Sequence, residues 1–441
     1  LQIRDCTLSS ATHAITVGGY SFQTNFPNPV NRQVTVEGCY IDDLYNSEAI
    51  SMHGNTVDCT FRDNKIIGGI SLSGKRNTIE NNDIWGYGNA SGGTAIMMSE
   101  ACSNENYILN NRIYGRGGEK TEERGLLFLA PKNNKKRGAV ESGKPLIVRG
   151  NRIVFEYTGV YPSSSVVKIG DYHGVGFTGT YRIHFEDNTI YNECNNGIKL
   201  WVDAVDSNEI MENVTIRNNT FRGKGQAVSV EYEDSSSLPQ VRNIIFNGNY
   251  IDADGESTIQ YPAVLLNAED TIQVVGNTIE QCSLGGFRVE IVDTQTQPVV
   301  FEHNKVFDFG YATPTSSTTD NGAFNFWKKS GGTSGKDVFF RYNEVVTAQS
   351  TAVYGVRSRY CNLVTTDNKF EFTAPTGGNW LGYYSISAGS RLYETIDSET
   401  LMLRESTTPT AETSFGKIYT KSDNKLYFQD GAGTEHEISF V

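Results

Sequence analysis

The sequence predicts an all-β protein, a parallel β-helix of about 13 coils with a small β unit at its carboxyl end. Three observations lead there: a recurring apolar-x-x-Asn-x-apolar template, a small residue and alternating strand after each copy, and a composition suited to sheets and turns. The template runs from Ile3–Leu8 and Val36–Ile41, through copies such as Ile216–Phe221 and Phe246–Ile251, to Thr365–Phe370. Its Asn column holds Asn64, Asn82, Asn111, Asn151, Asn188, Asn219, Asn249, Asn277, Asn304, Asn343 and Asn368, with Cys6 and Cys39 in the first two copies. Copies lie 18 to 40 residues apart, so each repeat is one coil with loops of variable length.

The second element reads Ala49-Ile50-Ser51-Met52, Ala95-Ile96-Met97-Met98, Gly197-Ile198-Lys199-Leu200, Ala227-Val228-Ser229-Val230 and Ala323-Phe324-Asn325-Phe326, among others. Each repeat then carries two short strands of period two, separated by a turn at Asn. Asn tolerates left-handed backbone at a sharp bend, and its amide can bond to the coils above and below. One repeat cannot bury its own apolar stripe, whereas stacked repeats can. The pattern excludes a leucine-rich solenoid, which needs a tighter Leu-rich period, and a propeller, which needs antiparallel blades of even length.

Composition agrees with this reading. The 441 residues include only 11 Pro but 44 Gly, 23 Tyr and 22 Phe. A formal charge of −13 argues against nucleic acid and anionic membrane as partners. No apolar run reaches spanning length. The chain opens inside a repeat without Met, which predicts a fragment of a longer protein. The seven cysteines form no CxxC pair and read as free, mostly buried thiols, folded in a reducing cytoplasm. The six His show no metal-ligand spacing, with His173 the one beside an acid in a Gly-rich stretch, and neither metal nor cofactor is expected.

Equivalent residues of successive coils lie about 4.8 Å apart, so alignment columns become lines on the surface. Counting four residues on from each small residue gives Trp201, Glu231, Asn267, Glu290 and Trp327 on consecutive coils. Two positions earlier stand Lys199 and Arg288, and two positions later Asp203, Glu233 and Glu269. Aromatic rings stack on sugar C–H faces, while carboxylate, amide and guanidinium groups bind hydroxyls. Trp201, Trp327, Asn267, Arg288 and Lys199 are therefore the expected substrate-binding residues. Glycoside hydrolysis needs two carboxyls across the scissile bond, and Glu231 with Glu290 lead, followed by Glu233, Glu269 and Asp203. Two alternatives use the same groove: a lyase acting on a uronic-acid polymer, or an adhesin that only binds.

The rhythm stops near Leu392, which separates a β-helix over 1–395 from a terminal unit over 396–441. There, Phe415–Thr420 and Leu426–Gly431 flank an Asp423-Asn424 turn and read as a small hairpin unit. The Asn-bearing coils resemble the pectate-lyase-like right-handed parallel β-helix superfamily. The ending Lys417-Ile418-Tyr419 … Leu426-Tyr427-Phe428-Gln429-Asp430-Gly431 resembles those of bacteriophage tailspikes and tail-fibre depolymerases. The resemblance implies a homotrimer whose terminal unit trimerises or caps, located in the virion tail. It also implies an endo-glycosidase on capsule, O-antigen or exopolysaccharide, with a further N-terminal region attaching to the phage. Catalytic positions vary so widely in that family that none carries over.

Overall fold

The computed structural model describes residues 1–9, 13–17, 31–43, 48–52, 56–87, 94–102, 105–116, 125–129, 144–156, 165–170, 179–192, 197–204, 209–232, 241–255, 261–292, 295–311, 322–328, 336–349, 354–372, 382–386, 392–395, 407–408 and 416–438. The chain divides into two compact units, Leu1–Glu394 and Thr395–Val441. The first is a right-handed parallel β-helix, and every strand pairing described in it is parallel.

Each coil has three strands rather than the two expected. In one coil these are Val241–Asn247 before the Asn turn, Tyr250–Asp252 after it, and the start of Val264–Val275 beyond a second corner. We call the stacks they build sheet 1, sheet 2 and sheet 3. Sheet 2 has thirteen strands, one for each copy of the template. The template straddles a corner: its first apolar residue lies in sheet 1 and its second in sheet 2, both pointing inward. Phe246 and Ile251 are fully buried in this way.

The Asn column is a continuous ladder. Oδ1 of each Asn accepts the backbone N–H one coil earlier, from Cys39 N to Asn64 at 2.9 Å up to Asn343 N to Asn368 at 2.9 Å. Each Nδ2 also reaches back to a carbonyl of the preceding coil, as Asn219 does to Phe185 O at 2.9 Å. The amides therefore satisfy buried corner groups that no strand ladder can reach. The left-handed residue is not the Asn itself but its predecessor. Asp63, Asn81, Asn110, Asp187 and Asn218 have φ of 54° to 57°, and Gly150, Gly248 and Gly276 fill the same place. Asp, Asn and Gly tolerate this backbone best, but His303 and Tyr342 also adopt it, at φ 55°, before Asn304 and Asn343. A shorter second ladder, from Cys59 through Asn77 to Asn106, closes the other corner of sheet 1.

Packing inside the coil is apolar along its whole length. Its upper half is aromatic: Phe287 stacks on Phe324 with centroids 5.3 Å apart, and Phe301 meets Phe326 edge-on at 5.0 Å. Cys6, Cys39, Cys59, Cys282 and Cys361 form no disulfide, and all but Cys6 are buried. The terminal unit holds an antiparallel sheet of Lys417–Thr420, Leu426–Gln429 and Glu435–Glu437. Its first turn lies at Asp423-Asn424, where Asn424 has φ of 61° and Asp423 accepts Lys425 N–H and the Tyr427 hydroxyl. No helix among the described residues is long and apolar enough to cross a membrane.

Candidate functional site

The outward face of sheet 3 carries most of the expected site residues, in a register that differs from the sequence reading in one coil. Strand Leu200–Ala204 pairs so that Trp201 lies level with Ser229 and Asp203 level with Glu231. The next coils continue through Leu265↔Arg288↔Asn325 and Asn267↔Glu290↔Trp327. Two outward columns result. One holds Lys168, Trp201, Ser229, Leu265, Arg288, Asn325 and Arg357. The other holds positions 203 and 231 and, one residue on from the Val230↔Leu266 pair, continues with Asn267, Glu290, Trp327 and Arg359. Trp201 and Trp327 remain four coils apart but stand in different columns.

The discrepancy arises at Gly197-Ile198-Lys199-Leu200-Trp201-Val202, where Ile198, Leu200 and Val202 are all apolar. Moving such a strand by two residues preserves its alternation, so the pattern alone cannot choose. Hydrogen bonds decide it: Val167 N donates to Lys199 O and Leu200 N to Ala227 O, placing Lys199 at the corner that Ala227 fills one coil later. Lys199 is therefore not an outward groove residue. It is fully buried, and its Nζ donates to Gly223 O at 2.7 Å and Asp252 O at 3.4 Å. Burial is the main cause that lowers its pKa to about 7, against the opposing pull of Asp252 and Asp254.

Glu269 also departs from the expected groove. Strand Val264–Val275 bends across a corner from sheet 3 into sheet 1, and Glu269 falls past that bend. It pairs in register with Arg242, lies buried and makes an ion pair with it at 3.3 Å. Arg242 is itself level with Glu212, which pairs with Arg182 at 3.3 Å, so Glu269 ends a column of alternating charge. Glu233 and His173 lie outside the described residues.

Glu290 is the best-defined acid on the face. Its Oε1 accepts Arg288 Nη2 at 2.5 Å, and its Oε2 accepts Asn267 Nδ2 at 3.3 Å. Arg288 also lies 4.6 Å over the Trp327 ring, which Arg359 approaches to 5.4 Å from the next coil. At the lower end, Lys168 lies 4.2 Å over the Trp201 ring. Trp201 Nε1 is a buried donor without a partner among the described residues. Sequence reasoning missed Lys168, Arg357 and Arg359. Arg357 and Arg359 follow the segment Ala352-Val353-Tyr354-Gly355 at alternate positions, a signal the small-residue count passes over. No group of three or more metal-ligating side chains occurs among the described residues.

A family model and several solved structures are similar to this chain. Residues 1–169 match the family described as Gp49, pectin lyase-like. Among solved structures, the chain is similar to a tailspike protein mutant of E. coli bacteriophage HK620, at 11% identity and a TM-score of 0.42, covering 98% of this chain and 85% of that one. A second HK620 tailspike mutant, in complex with a hexasaccharide, matches at 13% identity and a TM-score of 0.41 with the same coverage. PfbA, a surface adhesin of Streptococcus pneumoniae, matches at 11% identity and a TM-score of 0.30, covering 100% of this chain and 90% of that one. No curated protein matches in sequence.

Proposed function

We propose that the protein is a polysaccharide depolymerase of the tailspike kind, in which sheet 3 binds a bacterial surface polysaccharide and cleaves it internally by hydrolysis. One observation carries this reading: positions 203 and 231, Asn267, Glu290 and Trp327 fall on consecutive coils of one column, beside a column holding Trp201 and Arg288. Three acids, an amide, an arginine and two indoles in two adjacent lines supply the groups a glycan groove needs. The pectin-lyase-like match over 1–169 and the tailspike-like carboxyl end support the family reading and, with it, a homotrimer on a virion tail.

The register is the basis on which the reading assigns roles to the acids. Asp203 and Glu231 are in-register neighbours, a backbone separation of about 4.8 Å that suits the spacing of about 5–5.5 Å in retaining glycosidases. One of them would protonate the leaving glycosidic oxygen while the other attacks the anomeric carbon. Water then releases the glycosyl group, with the first residue acting as base. Glu290 is two coils from Glu231, about 9.6 Å. Both its oxygens already accept hydrogen bonds, from Arg288 and Asn267. That arrangement fits holding Arg288 and a sugar hydroxyl in place.

The test is mass spectrometry of bacterial surface polysaccharides incubated with wild type and with Asp203→Asn and Glu231→Gln. The expected products are oligosaccharides gaining one water per cleavage, reduced by about 10²–10⁴-fold or more in each variant. Unsaturated fragments would replace hydrolysis by lyase chemistry. Bound but uncleaved polymer would make the protein an adhesin.

A further inference from the structure

Resting on the reading of sheet 3 as a glycan face, we propose that its ligand is an acidic glycan, whose anionic substituent is held by Arg357 and Arg359 beside Trp327. The chain as a whole is acidic, with 51 Asp and Glu against 38 Lys and Arg. The upper end of sheet 3 reverses that balance. Across strands Phe287–Ile291, Gly322–Lys328 and Tyr354–Arg359, the two outward columns read Arg288-Asn325-Arg357 and Glu290-Trp327-Arg359. Three cations face one carboxylate, and that carboxylate is already engaged by Arg288 at 2.5 Å.

The indole is used in a way that a neutral sugar would not exploit. Arg288 belongs to the coil before Trp327 and Arg359 to the coil after it, 4.6 and 5.4 Å from the ring centroid. With a guanidinium from each neighbouring coil, the ring works as a rigid support for cations rather than as a platform for pyranose C–H groups. Arg359 rests on Trp327 and, at 5.5 Å, on Tyr360, and it makes no ion pair among the described residues. Arg357 lies 5.9 Å from the Tyr354 ring. Stacking fixes the Arg359 guanidinium plane while leaving its N–H edge able to grip a planar anion through two hydrogen bonds, with the Arg357 charge alongside. A carboxylate, from a uronic acid or a pyruvyl ketal, matches that edge. Phosphate or sulfate esters share the chemistry.

The experiment is a binding screen of the whole chain on immobilised bacterial polysaccharides of known composition, acidic and neutral, at low and high salt. Wild type is compared with Arg357→Gln/Arg359→Gln, whose melting temperature is checked against it. The expected result is binding confined to acidic glycans, weakened by salt and lowered roughly tenfold to a hundredfold in the double variant. Reducing the carboxyls of a bound glycan separates the sources. Loss of binding identifies a carboxylate, whereas retention with loss on ester hydrolysis identifies phosphate or sulfate. A neutral glycan bound equally by wild type and double variant overturns the proposal, and leaves the glycan face intact if Trp201→Ala abolishes that binding. Binding to no glycan in the panel overturns both.

Discussion

Removing one amide from the middle of the Asn ladder should open the β-helix locally, and Asn219→Ala is the substitution to make. Asn219 Oδ1 accepts Asn188 N at 2.9 Å and Asn188 Nδ2 at 3.1 Å, while its own Nδ2 donates to Phe185 O at 2.9 Å and Asn249 Oδ1 at 3.0 Å. Alanine leaves the buried Asn188 N–H without an acceptor, a cost of about 1–3 kcal/mol, and removes further hydrogen bonds worth about 1 kcal/mol each. The sum is on the order of 4–6 kcal/mol. Because long solenoids need not unfold in one step, the assay is hydrogen exchange resolved by peptide, read over 185–192. Exchange there should accelerate by roughly three to four orders of magnitude, since each 1.4 kcal/mol or so is tenfold. Asn368→Ala provides the comparison. It ends the ladder and is half-buried, so water replaces much of what is lost. Equal effects at both positions, or a change under tenfold at Asn219, would refute the ladder as a stabilising element.

Other outcomes follow from single side chains. The Lys199 amine has its pKa lowered to about 7 in the fold against about 10.4 when unfolded. Between those values the unfolded chain binds the extra proton, so stability rises with pH by at most about 1.4 kcal/mol per unit, and is flat in this term below about pH 7. Denaturation midpoints of Lys199→Met should exceed wild type most at pH 6 and converge toward pH 10; parallel curves would show that the amine is not desolvated. Burial pushes the Cys361 thiol up to about 12, and Cys39, Cys59 and Cys282 are buried with it. In a background with Cys102 and Cys194 changed to Ser, a thiol reagent should therefore modify Cys6 in the native protein and the other four only after denaturation. Glu290→Gln weakens the anchor of Arg288 and should raise KM more than it lowers kcat; the reverse split would give Glu290 a direct part in bond cleavage.

The sequence by itself determined the coil count, the inward apolar residues and the line of Asn, because each rests on spacing that every coil repeats. It also exposed Asn267, Arg288, Glu290 and Trp327 as one cluster, since the small residues before them at Ala263, Gly286 and Ala323 mark the same corner on successive coils. Three matters were left to tertiary structure. The turn at Asn was legible, but the second corner, between the strand after Asn and the strand after the small residue, carries no repeated residue to mark it, so three strands read as two. Glu269 looked like a groove acid because a bend inside a continuous strand leaves no mark on alternation. Lys199 and Trp201 were misplaced because a shift of two residues keeps every apolar side chain facing inward. Only the hydrogen bonds to neighbouring coils choose between those registers. That choice buries a lysine, brings Asp203 level with Glu231, and sets the indoles in separate columns.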